Sequence, residues 1–181
     1  ETVHIHMDTI KPDPPTFEFL DGYVQGTWTN QDVKVSMKAG DNNGYIGVSQ
    51  GGYFQYTSDF INIVSIEGNP WIVNMDCDAT FYIRAVDEAD NIGDWSEGFI
   101  IRRYTKKATI PIITYNSGSN ICKWQNNINI TLSMKENKIP LARYEIDWNG
   151  DGLSDRELLA DGNFVPWNGF DSCNVRFRAV D

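Results

Sequence analysis

The sequence predicts an all-β chain made of two tandem β-sandwiches, and three observations carry that prediction. The segment Phe81-Tyr82-Ile83-Arg84-Ala85-Val86-Asp87 returns near the C-terminus as Val175-Arg176-Phe177-Arg178-Ala179-Val180-Asp181, which marks the closing strands of two copies of one module. Apolar and polar residues alternate over short runs, the signature of strands with one buried face, and no helix is predicted. Turn-forming residues interrupt these runs roughly every 8–12 residues, as sandwiches require. The 181 residues divide into two copies of ordinary domain size, each large enough to bury a small core.

Taken in order, Thr2-Val3-His4-Ile5-His6-Met7 alternates like a half-buried strand and corresponds to Gly98–Tyr104 in the repeat frame. Residues 1–13 therefore read as the final strand of a preceding module plus a linker. Pro12, Pro14 and Pro15 make that linker extended and stiff. The first repeat spans 14–104 and the second 105–181, the latter breaking off before its last strand. Pro15-Thr16-Phe17-Glu18-Phe19 falls on Pro111-Ile112-Ile113-Thr114-Tyr115, and Trp28 falls on Trp124 at the same spacing. Val33, Val35 and Met37 alternate with Lys34, Ser36 and Lys38, as Ile128, Ile130 and Leu132 do with Asn129, Thr131 and Ser133. Tyr45-Ile46-Gly47-Val48 is then set against Tyr144-Glu145-Ile146, with hairpin turns at Gly51-Gly52 and at Asn149-Gly150-Asp151-Gly152. Trp71 and Trp167 precede the terminal strands, and Asp87–Gly93 makes the last hairpin of the first copy.

Composition excludes several functions. A formal charge of −10, with Arg102-Arg103 and Lys106-Lys107 as the basic clusters, does not suit nucleic acid. No apolar run approaches the ~20 residues of a membrane-spanning helix. The two histidines, His4 and His6, share one side of the N-terminal strand without a nucleophile beside them, so no catalytic residues are assigned.

The start Asp8-Thr9-Ile10-Lys11-Pro12, the strand entry Gly26-Thr27-Trp28-Thr29-Asn30 and the close Arg84-Ala85-Val86-Asp87-Glu88-Ala89-Asp90-Asn91 resemble the bacterial immunoglobulin-like repeats strung along secreted and wall-attached proteins. The resemblance implies immunoglobulin-like (fibronectin-III-like) sandwiches at the cell surface. It also implies a spacer, adhesion or accessory-binding module rather than an enzyme, partnered by other domains of its own chain and by a carbohydrate or a host surface protein. The family's last turn has Gly where this chain has Asp90, which tolerates a left-handed backbone better than most residues.

Three constellations invite chemistry. Asp147, Asn149, Asp151 and Asp155 occupy positions 1, 3, 5 and 9 of a loop with Gly152 at 6, the spacing that wraps Ca²⁺, and Glu157 lies one residue short of the bidentate position held by Leu158. Two successive Asx-Gly turns without metal explain the same run. Tyr53, Phe54 and Tyr56 are ligand-binding candidates because they lack counterparts in the second copy, although a solvated hairpin strand accounts for them too. Trp28, Trp71, Trp124 and Trp167 recur in both copies and are assigned to packing. In an immunoglobulin-like sandwich Cys122 and Cys173 lie at one end of opposite sheets, so the resemblance implies a disulfide between them, with Cys77 unpaired; three reduced thiols are the rival reading.

Overall fold

The structure, a computed structural model, describes residues 7–40, 52–115, 128–134, 140–147, 151–159, 164–167 and 176–180. The strand expected over 2–7 falls outside them, apart from Met7, which is exposed and not in a strand. So do Tyr45–Val48, Gly51, Trp124 and Trp148. Among the described residues every regular element is a strand. The chain divides into two compact units, Glu1–Thr105 and Lys106–Asp181.

In the first unit, β1 (Thr16–Phe19), β3 (Val33–Lys38) and β6 (Trp71–Val73) form one sheet in the order β1-β3-β6. The other sheet contains β2 (Trp28–Thr29), β8 (Phe99–Arg103), β7 (Cys77–Val86), β4 (Tyr53–Thr57) and β5 (Val64–Ile66), in that order. Alternation sets the core: Val33, Val35 and Met37 of β3 are buried beneath Phe81, Ile83 and Ala85 of β7 and Phe99 and Ile101 of β8. Their partners in sequence, Lys34, Ser36, Tyr82, Arg84 and Ile100, point outward and are partly exposed. Neighbouring strands are antiparallel throughout except β2 and β8, which run parallel with Trp28 opposite Arg102 and Thr29 opposite Arg103.

The second unit repeats this plan with β9 (Ile112–Tyr115), β10 (Ile128–Ser133) and β13 (Phe164–Trp167) in the order β13-β10-β9. The companion sheet has the order β12-β11-β14, from β11 (Arg143–Asp147), β12 (Arg156–Leu159) and β14 (Arg176–Val180). Among its described residues, Leu132, Tyr144 and Ile146 are the fully buried apolar side chains.

The tryptophans divide. Trp71 is buried and stacks on Tyr56 at 4.4 Å between ring centroids, so it packs as expected. Trp28 is only half-buried, at the start of the β2 edge with the Arg102 guanidinium 5.9 Å above its ring, and takes no part in the core. Trp71 and Trp167 are not equivalent by register: Trp71 faces Val35, whereas Val165 faces Ile130, the residue matching Val35, and Trp167 lies two positions further along opposite Ile128.

Candidate functional site

Register also corrects the internal alignment around the acidic loop. Phe54 pairs with Ala85 of the Arg-Ala-Val-Asp motif, and Tyr144 pairs with Ala179 of its second copy. Strand β11 is therefore the counterpart of β4, not of Tyr45–Val48. The loop after Asp147 corresponds to the loop after Thr57, not to Ser49-Gln50-Gly51-Gly52.

The two loops use one device. Thr57, fully buried at the end of β4, accepts the N–H groups of Asp59 (3.3 Å) and Phe60 (2.9 Å) on its hydroxyl. Asp147, buried at the end of β11, accepts the Gly152 N–H at 2.9 Å on Oδ2. Asp151 then accepts the Leu153 N–H at 2.7 Å, and Asp155 donates its N–H to the Ile146 carbonyl at 2.8 Å to close the hairpin. Glu157 is a strand residue opposite Glu145, and its carboxylate meets the Arg143 guanidinium at 3.1 Å. Asn149 lies outside the described residues, and among those described no three His, Cys, Asp or Glu side chains are grouped to hold a metal.

Asp59 carries the first loop. Its carboxylate accepts the Asn62 N–H at 2.8 Å, the Ile61 N–H at 2.9 Å and the Asn62 side-chain amide at 2.7 Å. These bonds, the Asn62 N–H foremost, favour the charged form and lower its pKa from 3.8 to about 2. A depressed folded pKa means that the stabilisation is fully present above the ordinary value and is lost as pH falls through about 2. Carboxyl titration by NMR is expected to place the Asp59 midpoint near 2, with the Ile61 and Asn62 amide shifts moving alongside it.

That loop holds Phe60 at φ 59° over Tyr82, with ring centroids 4.5 Å apart, and edge-on to Trp95 at 5.9 Å. Arg84 covers the Trp95 ring at 4.6 Å and donates to the Gln55 side chain at 2.9 Å. The residue matching Arg84 in the second unit is Arg178, which pairs with buried Glu145 where the first unit has Gln55. Bonds from Arg178 first, and from Arg143, hold the Glu145 carboxyl below the ordinary carboxylate range. Both copies thus place an arginine over the same cross-strand polar position.

The three ligand candidates on β4 separate. Phe54 is 6% exposed and belongs to the core, and Tyr56 packs against Trp71 and Phe81, because even positions of β4 face the opposite sheet. Only Tyr53 of the three is exposed, at 38%. Exposed apolar side chains lie beyond the other end of that strand: Phe60, Ile61, Ile63 and Val64 form a ridge the sequence did not single out, because their exposure depends on how the loop after Thr57 is fixed.

Cys77 is a free, half-buried thiol whose Sγ faces the Ile101 carbonyl at 3.8 Å, and burial pushes its pKa up. It is expected to alkylate slowly with iodoacetamide in the folded chain and readily in urea, read by peptide mass mapping. Cys122 and Cys173 lie outside the described residues. A cleft of about 630 Å³ opens beside β2, with Trp28 and Asn30 on its walls. Its charged lining groups are already paired, Lys34 with Asp21 at 2.8 Å and Asp32 with Arg103 at 2.7 Å.

The described segments at either end of the first unit, from Asp8 and up to Thr105, are bonded into its body. Buried Asp87 accepts the N–H groups of Ala89 (2.9 Å) and Asn91 (2.8 Å) and the Asn91 side-chain amide (2.9 Å), shaping the β7–β8 hairpin. Asp90 completes that turn at φ 63°, the left-handed conformation expected at this position. Asn91 also donates to the Asp8 carbonyl at 3.2 Å, Lys11 pairs with Asp94 at 2.5 Å, and the Asp13 N–H bonds to the Gly40 carbonyl at 2.9 Å. Gly93 lies so close to this segment that a Cβ would stand 2.7 Å from the Pro12 carbonyl oxygen. At the exit, Thr105 donates its N–H (2.9 Å) and hydroxyl (3.0 Å) to Asp76.

No family model and no curated protein matches the chain. A solved structure of fibronectin(III)-like modules of CbhA from Clostridium thermocellum is similar, with 15% identity and a TM-score of 0.44, covering 91% of this chain and 85% of that one. The assignment of β-sandwiches rests on the strand pairing described above, not on this likeness.

Proposed function

We propose that the chain is a non-catalytic spacer and presentation segment of a larger bacterial surface protein, working outside the cell as a pair of immunoglobulin-like modules. The observation that supports this reading is the anchoring of both ends of the first unit. Chain that enters at Asp8 and leaves at Thr105 is held by side chains of the module itself, so both connecting segments leave the first unit from fixed points. Hydrogen exchange tests it: the Asp13 and Thr105 amides are expected to exchange as slowly as those of the sheet edges. Exchange at the rate of an unstructured peptide would remove the support.

A second reading, an accessory module that binds a carbohydrate or a host protein, is favoured by the ridge Phe60-Ile61-Ile63-Val64. It expects the chain to retain ligands on a glycan or surface-protein array and Ile61→Lys to lose them. Silence of the unsubstituted chain on both arrays counts against it.

A further inference from the structure

We propose that the cleft beside β2 is a binding site for a neutral sugar, with Trp28 and Asn30 as its main contacts. Such a site shares no residue with the Phe60 ridge and does not depend on the spacer reading, so it goes beyond both readings above.

The walls come from the chain between Leu20 and Lys34, which turns twice before β2. Asp21 at φ 56° and Gly22 at φ 77° make the first turn, closed by the Tyr23 N–H on the Leu20 carbonyl at 3.3 Å. Gly26 at φ 76° makes the second, with the Thr27 N–H on the Val24 carbonyl at 3.1 Å. These turns are pinned to the body of the unit. The Leu20 N–H bonds to the Lys34 carbonyl at 2.9 Å, and the Gly26 N–H to the Ile100 carbonyl at 3.1 Å. The Tyr23 hydroxyl accepts the Arg102 N–H at 3.0 Å and donates to the Thr27 carbonyl at 3.0 Å. Beyond β2, Arg103 holds the Gln31 carbonyl at 3.1 Å and Asp32 at 2.7 Å. The cleft of about 630 Å³ is therefore formed in advance, and its size falls within the ~300–1,000 Å³ of small-ligand sites.

The groups that these bonds leave unused select the ligand. Both carboxylates on the walls are in ion pairs, Asp21 with Lys34 at 2.8 Å and Asp32 with Arg103, so the cleft has no surplus charge with which to hold a phosphate or a carboxylate. Asn30 accepts the Gln31 side-chain amide on its Oδ1 at 2.8 Å. That leaves the Asn30 side-chain N–H groups, the Gln31 side-chain carbonyl and the Trp28 indole N–H without partners among the described residues. A purely apolar ligand would bury these neutral donors and acceptors unpaired, at a cost. The half-buried Trp28 ring and the exposed Val24 side chain add apolar area beside them. A matching ligand needs hydroxyl groups, each able to donate and to accept, on a ring with an apolar face to lie against the indole. A neutral sugar supplies both.

The test is titration of the full chain with cellotetraose, mannotetraose and chitotetraose, followed by NMR at the Trp28 indole and Asn30 side-chain amide signals, with inorganic phosphate as the anionic control. At least one sugar is expected to shift both signals saturably at millimolar concentration, and phosphate to shift neither. Trp28→Ala is expected to weaken binding about tenfold, through loss of the ring and its N–H. Asn30→Ala, an exposed change that leaves the fold intact, is expected to weaken it about fivefold, the equivalent of one neutral hydrogen bond. Ile61→Lys, on the ridge, is expected to leave it unchanged. The cleft is overturned if none of the three sugars gives a saturable shift, if phosphate competes for the same signals, or if Asn30→Ala binds at full affinity. Sugar binding that Ile61→Lys abolishes and Asn30→Ala spares would also overturn it, and would uphold the ridge in its place.

Discussion

Phe99→Ala is expected to cost the first unit about 3–5 kcal/mol, the usual penalty for emptying a fully buried aromatic site. Phe99 is completely inaccessible, and its ring lies 4.3 Å from Phe17, 5.8 Å from Phe19 and 6.2 Å from Phe81, joining rings from both sheets. The surrounding side chains are held by strand register and cannot close over the void. Since whole domains are stable by about 5–15 kcal/mol, this single change removes a large share of the total. Urea denaturation followed by tryptophan fluorescence reads it as a lower midpoint at unchanged slope. A loss below about 1 kcal/mol would mean that the two sheets do not meet at Phe99.

Asp87→Ala is expected to cost roughly 3 kcal/mol, although no apolar contact is lost. The carboxylate takes three N–H donors in a place almost closed to water, and alanine leaves two backbone N–H groups and one amide without an acceptor. Asp87→Asn keeps one oxygen acceptor and should cost less. The effect should also travel: Asn91, freed from Asp87, no longer holds the Asp8 carbonyl, so exchange of the Ile10 and Asp13 amides should accelerate more than exchange in β3 or β6. Equal acceleration everywhere would mean that the hairpin and linker are not specifically coupled.

Strand positions were legible wherever one face is buried. The alternation of Val33-Lys34-Val35-Ser36-Met37-Lys38 reappears as alternating burial, and the Asp87–Gly93 turn sits where Asp and Gly place it, because both signals are local. The candidate sites were less legible. Tyr53, Phe54 and Tyr56 stood out as aromatics lacking a counterpart, yet facing is set by register, and register turned two of the three inward. The Phe60 ridge was hidden because exposure there depends on Thr57 and Asp59 fixing the loop.

The sequence by itself determined that the chain is all-β and carries a repeated Arg-Ala-Val-Asp, since a period of two and a repeated motif need no third dimension to be read. Which residues of the two copies are equivalent was decided by the tertiary structure alone. Linear spacing set the acidic loop against the turn at Gly51-Gly52. Cross-strand pairing set Asp147 against Thr57, where it performs the turn-closing task that both copies share. Insertions shift spacing freely along the chain, but a hydrogen-bonded ladder cannot slip by one residue without turning its buried face to water.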